Sequence, residues 1–352
     1  MKHSIAQRSI EGPVNRPLTN FEQVNRLDNH ILGKGIPLYQ SNAIIRFNST
    51  FLEIPQDGFS NNRFVFSFSA LFLLFMIAAL IYFMASFFMV NASIKYILLL
   101  LPFLLGLGFL EYLILQVSFF NYTHRPIRFN RKKQCVHFFR FNGTQITVPW
   151  KDIVFTCSKK NSQPCIYVTA NIIDKETGFM TERFFLPEMT TSSPFFHPPA
   201  DRYYYPDLVS LWAFIVEYME GDNLPKLSGL VYYCLPFDKK KENIYWSFLM
   251  SLRLLDPQFR TYYFNIFFIG DLLFFPISFP IRVLSTWTNK LPKWRQEIEA
   301  QCQVDAYDSI NLSSETNPTG WKLFRYVTGM LKPEEFRSWL KDMENSESLS
   351  RQ

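Results

Sequence analysis

The sequence predicts an α+β membrane protein in which a transmembrane helical hairpin precedes an antiparallel β-rich domain, a closing helix and a helical, hydrophobic C-terminal region. Of the 352 residues, 18% are aromatic and only 19% are charged, against ~25% charged residues in soluble domains. Two long apolar runs, and then a series of short alternating runs, are the other two observations behind this prediction. Such an apolar surplus is typical of lipid-facing segments.

The hairpin is predicted over residues 63–120, with one span at 64–90 and a second at 94–120. At ~1.5 Å per residue each run exceeds the ~30 Å hydrocarbon core of a bilayer. The connection at 91–93 is so short that the spans must be antiparallel. Basic residues flank both ends, which places both ends in the cytosol: Arg63 before the hairpin, and Arg125, Arg128, Arg131, Lys132 and Lys133 after it. We therefore expect a multi-pass protein with most of its chain in the cytosol.

Alternating apolar runs predict a cytosolic β-rich domain over residues 121–225. Asn142-Gly143 is a two-residue hairpin signal between two of the strands. Pro206 opens a helix expected at 207–220. The six expected strands are 127–130, 135–141, 144–150, 153–158, 165–173 and 181–186. Antiparallel strands closed by one amphipathic helix resemble the pleckstrin-homology-like β-sandwich.

The rest of the chain divides into three parts. Residues 1–62 are polar and are expected to form a cytosolic tail. Residues 226–306 are expected to be helical, with a hydrophobic segment at 262–287. Basic residues follow that segment, which favours a re-entrant or interfacial element over a third membrane span. Residues 307–352 are expected to form a C-terminal tail.

Two acidic residues lie within apolar runs, and they are the candidate intramembrane polar sites: Glu111 and Asp271. An ionised side chain at bilayer depth costs at least ~2.5–3.5 kcal/mol. For Glu111 we expect a neutral packing role, with a proton or ion site as the alternative. Four basic residues after the hairpin are candidate contacts for lipid headgroups, although membrane topology alone also accounts for them: Arg128, Arg131, Lys132 and Lys133.

Motifs that carry chemistry are missing from the sequence. It contains no GxGxxG, GxxxxGK[ST], GxSxG or HExxH pattern, and the five cysteines form no CxxC pair. We therefore expect no enzyme activity, no catalytic residue, no metal and no cofactor. The net charge of +6 gathers beside the hydrophobic runs, so nucleic-acid binding is not expected.

Several blocks of sequence carry a resemblance that extends over most of residues 35–306: residues 126–131 (PIRFNR), 148–152 (VPWKD), 279–282 (FPIR), 290–294 (KLPKW), 297–302 (EIEAQC) and 304–305 (VD). Together with the hairpin they resemble a family of uncharacterised proteobacterial membrane proteins encoded near type VI secretion genes. The resemblance implies a location in the bacterial inner membrane.

The same resemblance implies a binding function, namely an immunity protein that neutralises a cognate antibacterial effector. Its partners would be that effector and membrane lipids, and the oligomeric state is left open. An accessory or scaffold protein of the secretion machinery is the first alternative. A small oligomeric transporter or channel is the second, in which Glu111 and Asp271 would be the intramembrane ionisable groups.

Overall fold

A computed structural model describes residues 14–28, 38, 43–56, 61–89, 94–120, 122–140, 142–159, 165–191, 206–238, 242–252, 267–317 and 325. The chain forms two compact units. The sheet unit comprises Met1–Asp57, His124–Lys240 and Pro292–Gln352, and the helical unit comprises Gly58–Thr123 and Lys241–Leu291. Each unit is therefore built from segments that are far apart in the sequence.

Two antiparallel sheets make up the sheet unit, which confirms the α+β class. The five-stranded sheet has the order β2-β3-β4-β5-β6, with β2 at Arg46–Phe47, β3 at Phe51–Pro55, β4 at Pro126–Asn130, β5 at Cys135–Phe139 and β6 at Gln145–Pro149. The four-stranded sheet has the order β1-β7-β8-β9, with β1 at Arg26–Leu27, β7 at Ile153–Lys159, β8 at Cys165–Ile173 and β9 at Met180–Thr191. The strands β1 to β3 come from the stretch that was expected to be a tail.

Alternation of apolar and polar residues gives each sheet one face toward a shared core. Phe129 and Phe138 of the five-stranded sheet lie 6.5 and 4.8 Å, between ring centroids, from Phe184 of the four-stranded sheet. The closing helix lies on the same core, and its Tyr218 ring is 5.3 Å from Phe47. The helices of this unit, numbered along the whole chain, are α1 at Asn20–Val24, α4 at Pro206–Glu220, α5 at Leu224–Ser228 and α8 at Gln296–Gln301.

The hairpin between β5 and β6 has a three-residue loop rather than the expected two-residue turn. The Arg140 N–H donates to the Thr144 carbonyl at 2.8 Å, and the Gly143 N–H donates to the Arg140 carbonyl at 3.0 Å. Gly143 has a φ of 81°, a conformation that costs glycine little because it has no Cβ. Glycine at the last loop position is the usual solution for a loop of this length.

In the helical unit, the two expected apolar helices are confirmed as α2 at Asn61–Met89 and α3 at Ile94–Ser118. Within them, Ser69–Phe87 and Leu98–Leu115 are long and apolar enough to cross a bilayer. Most side chains along both stretches are exposed.

Two further helices of this unit, α6 at Ile244–Ser251 and α7 at Phe267–Thr288, run antiparallel. Glu242, before α6, pairs with Arg282 near the end of α7, whereas Phe248 packs at 5.5 Å on Phe275, earlier in α7. The hydrophobic segment expected at 262–287 is helical over its described part. Among the described helices, only α2 and α3 contain a stretch long and apolar enough to cross a bilayer.

The C-terminal ends of α3 and α7 lie side by side. Ile281 packs with Ala70 of α2 and with Phe119, which follows α3. Just beyond both helices the Thr123 N–H donates to the Lys290 carbonyl at 2.8 Å. Because α6 begins beside the end of α7, Glu242 and Lys290 both lie at the end of the helical unit where α3 ends.

Candidate functional site

The outer face of the five-stranded sheet, opposite the shared core, carries an unusual row of polar residues. The strand register aligns Arg46, Glu53, Arg128, His137 and Thr147 side by side across all five strands. Strand periodicity places this row on the face opposite Leu52, Phe129 and Val136. Two charged residues and a histidine are therefore buried together on one sheet face.

Arg128 is the centre of this row and is only 1% exposed. Its Nε donates to Oε2 of Glu53 at 2.7 Å, and its Nη1 lies 3.3 Å from the carboxylate of Glu299. The guanidinium carbon lies 4.3 Å from the Phe51 ring centroid and 4.9 Å from that of Trp294. Burial alone lowers the pKa of Arg128, but the carboxylates of Glu53 and Glu299 outweigh burial and raise it. The charge is thus permanent and is stabilised by ion pairing and by two aromatic faces.

A segment at residues 292–305, here called the covering segment, lies over this row. The Trp294 Nε1 donates to Glu53 at 3.3 Å, and the Asn130 side chain donates to the Gln301 carbonyl at 2.9 Å. Ile298 and Cys302 pack on Phe51. Because β3, β4 and the covering segment all converge on Arg128, this one charge joins three distant parts of the chain.

A thiol and an imidazole lie next to Arg128. His137 Nε2 is 3.5 Å from the sulfur of Cys135, and His137 Nδ1 is 2.8 Å from the Thr147 hydroxyl. Burial, and next the positive charge of Arg128, lower the pKa of His137 to about 4. Burial, and next the proximity of Cys302, raise the pKa of Cys135 to about 11. Both groups are therefore neutral near pH 7, which is the opposite of the arrangement that activates a thiolate nucleophile.

A second buried ion pair lies on the outer face of the four-stranded sheet. One Glu22 carboxylate oxygen accepts from Arg183 at 2.5 Å, and the other accepts from Arg16 at 2.8 Å. Burial alone raises the pKa of Glu22, but the hydrogen bonds from Arg16 and the Thr19 N–H, with the charge of Arg183, hold it at about 2. This pair ties α1 to the sheet in the way that Arg128 ties the covering segment.

The four basic residues predicted to contact headgroups do not form one surface. The role expected for Arg128 is corrected, since its guanidinium is buried against Glu53 and cannot reach a lipid. Arg131 donates to the Tyr218 and Gly221 carbonyls. Lys132 pairs with Asp305 at 2.6 Å. Lys132 and Lys133 are exposed, so these two remain candidates for contact with a charged surface.

The two predicted intramembrane acids lie on different helices. Glu111 is in α3, is 5% exposed, and neither of its carboxylate oxygens has a hydrogen-bond partner among the described residues. Asp271 is in α7, but its side chain lies outside the described part of the structure. The expectation for Asp271 therefore stays a prediction.

Sequence reasoning missed the partners of Arg128. Glu53 stands in the run FLEIP, and a single charge among apolar strand residues is a signal that it faces a different environment from its neighbours. Trp294 and Glu299 belong to blocks that were noted only for their resemblance. Among the described residues, no group of three or more His, Cys, Asp and Glu side chains is arranged to hold a metal ion.

Comparison with known proteins gives one match. No curated protein and no solved structure matches the chain. One family model matches residues 107–306, more than half of the chain, and this range contains Arg128, Trp294, Glu299 and Cys302. The chain therefore belongs to the "Family of unknown function (DUF6708)".

Proposed function

We propose that this chain is a membrane-anchored binding protein, in which α2 and α3 cross the bilayer and the sheet unit offers the contact surface for a partner. The observation that carries the proposal is the exposure of the two apolar helices. Large apolar side chains are exposed on both, including Leu71, Phe72, Phe75, Tyr82 and Phe83 on α2 and Leu99, Phe103, Leu105, Phe109 and Tyr112 on α3.

Exposing an apolar surface of this extent to water is unfavourable. Contiguous apolar patches on soluble monomers rarely exceed a few hundred Å², and the core helix of a soluble protein is covered by its own fold. The lipid chains of a bilayer supply the missing cover, because a helix satisfies its own backbone hydrogen bonds there. The basic residues at both ends of the hairpin favour the cytosol for those ends, which locates the sheet unit in the cytosol.

The binding partner we propose is a cognate antibacterial effector, which the protein neutralises as an immunity factor of the inner membrane. This step rests on the resemblance to membrane proteins encoded near type VI secretion genes. Arg128 and Arg183, at the centres of the two buried clusters of the sheet unit, pair with Glu53 and Glu22 of the same unit. A partner would therefore meet the exposed turns, where Lys133 and Lys175 lie.

A protection assay tests this function. Cells that produce the effector encoded beside this gene are expected to survive only when this chain is made in at least equal amount, because protection by binding is stoichiometric. Protection against unrelated effectors is not expected, because a complementary surface is specific. Charge reversal at exposed turns, for example Lys133→Glu and Lys175→Glu, is expected to weaken protection while membrane insertion is kept.

Two other outcomes redirect the proposal. Deletion of the gene that leaves cells resistant to their sister cells but blocks effector export would favour an accessory protein of the secretion machinery. Ion flux in proteoliposomes that Glu111→Gln abolishes would favour a channel. Survival that depends on a single cognate effector is the result expected for an immunity protein.

A further inference from the structure

The helical unit contains a cavity of about 410 Å³ between the start of α6 and the C-terminal half of α7. This volume lies within the range of pockets that bind small molecules. The cavity is partly open to the surface, and its lining combines polar, aromatic and apolar side chains: Glu242, Asn243, Ile244, Tyr245, Ser247, Val283 and Trp287. A ligand that fits such a lining has both polar and apolar parts.

Glu242, which lines the cavity, forms an ion pair with Arg282. Arg282 Nε and Nη2 donate to the two carboxylate oxygens of Glu242 at 2.6 and 2.9 Å. The two residues are only 8% and 7% exposed. This bidentate pair is neutral as a whole, and among the described lining residues Glu242 is the one charged side chain.

The helix that carries Arg282 has a polar inner side and an apolar outer side. Its buried polar residues recur at helical spacing: Ser278, Arg282, Ser285 and Thr286. The buried Asn289 follows directly after the last residue of the helix. On the same helix Leu273, Leu284 and Trp287 are 73%, 50% and 65% exposed. A helix with its polar side buried and its apolar side exposed is arranged for lipid. Trp287 near its end, and Tyr245 on the neighbouring helix α6, are residue types typical of the membrane–water interface.

We propose that this cavity binds the headgroup of a zwitterionic phospholipid, such as one with a phosphoethanolamine group. The inference rests on the membrane insertion proposed above. The ammonium group has the rings of Tyr245 and Trp287 as neighbours, while both Glu242 oxygens accept from Arg282. The Asn243 amide and the Ser247 hydroxyl can donate to the phosphate, and the exposed apolar side of α7 lies along the acyl chains.

Lipid retention by the full-length chain tests the site. The protein is exchanged into non-ionic detergent micelles that contain equal amounts of phosphatidylethanolamine and phosphatidylglycerol, and bound lipid is measured by native mass spectrometry. We expect phosphatidylethanolamine to be retained over phosphatidylglycerol by about tenfold, a preference within the range of one cation–π contact. Equal retention of the two lipids, or retention of neither, would overturn the proposal.

Two variants separate this site from general lipid contact. Val283→Trp fills the cavity while both members of the ion pair are kept, and it is expected to abolish the preference. Leu284→Trp adds the same ring at an exposed position of the same helix, and this variant is expected to keep the preference for phosphatidylethanolamine. Persistence of the preference in Val283→Trp would exclude the cavity as the site. Carbonate extraction of cell membranes tests insertion separately, since an extractable wild-type chain contradicts the proposed function whatever the lipid result.

Discussion

At the scale of single residues, the role of Arg128 is decided by its surroundings in the fold and not by its position in the sequence. In the sequence it is one of five basic residues after an apolar run, and there it predicts a membrane border. In the structure it is buried between Phe51 and Trp294 and pairs with Glu53. Glu53, whose carboxylate pairs with Arg128, lies 75 residues earlier in the chain.

Arg128→Leu is expected to destabilise the sheet unit by roughly 3–5 kcal/mol, because it leaves the Glu53 carboxylate buried without its cation. Thermal unfolding of the detergent-solubilised protein, followed by tryptophan fluorescence, measures the loss. Lys132→Met is the matched control, since it breaks the exposed pair with Asp305 and should cost less than ~1 kcal/mol. An unchanged stability for Arg128→Leu, together with weaker binding to anionic vesicles, would restore the headgroup role.

His137 is expected to make stability depend on pH. Its pKa is lowered from 6.5 to about 4 in the folded state, so between these values the unfolded chain binds a proton that the folded chain does not. Stability is therefore full above about pH 6.5 and is lost as the pH falls toward 4, by about 2 kcal/mol between about pH 7 and about pH 5. His137→Gln, which does not titrate, should flatten the melting temperature over this range.

Glu22 also makes the stability fall as the pH falls, but over a lower pH range, since its pKa is lowered from 4.5 to about 2. Its contribution is lost only as the pH falls below about 4.5, so the two groups are separable. A melting temperature that falls equally in wild type and in His137→Gln between about pH 7 and about pH 5 would show that His137 is not the titrating group.

For Glu111 we expect a buried packing role. Glu111→Gln keeps the hydrogen-bonding shape of the side chain without an ionisable group, so expression and protection should be nearly unchanged. Glu111→Lys places a charge at bilayer depth, at a cost of at least ~2.5–3.5 kcal/mol, and should reduce the amount of protein in the membrane. Loss of protection in Glu111→Gln at normal membrane levels would instead assign this carboxyl a proton or ion.

At the scale of elements, the sequence predicts best what local periodicity determines. The two apolar helices and the helix at Pro206–Glu220 lie close to their predicted positions, because the apolar residues of each follow a long and consistent pattern. The strands β4 to β9 were also expected, because alternation and turn residues mark them. The two-residue strand β1 is too short to show any period, and only its pairing with the distant strand β7 makes it a strand. For β2 the largely apolar run 43–47 indicates a strand, and β2 pairs with its neighbour β3.

The covering segment illustrates the same limit for the site. Its block 297–302 gives α8, but nothing in its local pattern indicates that Trp294 contacts Arg128, because that contact depends on tertiary packing alone. Lys132 and Asp305, which pair at 2.6 Å, are likewise separated by 173 residues. A contact of this kind is visible in a single sequence only as an unexplained charge in an apolar run, as at Glu53.

Trp294→Ala is expected to loosen the covering segment selectively, because it removes an aromatic face from Arg128 and a hydrogen bond from Glu53. Amide hydrogen exchange should become faster in α8, by about tenfold or more for a loss of at least ~1.4 kcal/mol. The strands β7 and β8 serve as the internal control and should keep their protection. Equal acceleration in both sheets would mean that Trp294 supports the whole unit rather than the covering segment.

At the scale of the whole molecule, the two units differ in what they bury and expose: in the described part of the sheet unit, the buried ion pairs are formed within the unit. In the helical unit most side chains along Ser69–Phe87 and Leu98–Leu115 are exposed, and soluble monomers rarely expose so large an apolar surface. We have proposed that lipid covers this surface and that a partner binds at exposed turns of the sheet unit. Both proposals depend on one claim, that the hairpin crosses the membrane.

Labelling of introduced cysteines in intact cells tests that claim most directly. The variants are Ala92→Cys, in the predicted periplasmic connection, and Lys133→Cys, at an exposed position of the sheet unit. The wild-type chain with its five cysteines is labelled in parallel and gives the background. Cys157, Cys234 and Cys302 are buried and Cys135 is half-buried, while the side chain of Cys165 lies outside the described part of the structure. With a membrane-impermeant maleimide that reaches the periplasm, the account predicts labelling at position 92 in intact cells and at position 133 only after the inner membrane is broken. Labelling at position 133 in intact cells, or protection of position 92 until the membrane is broken, would contradict it.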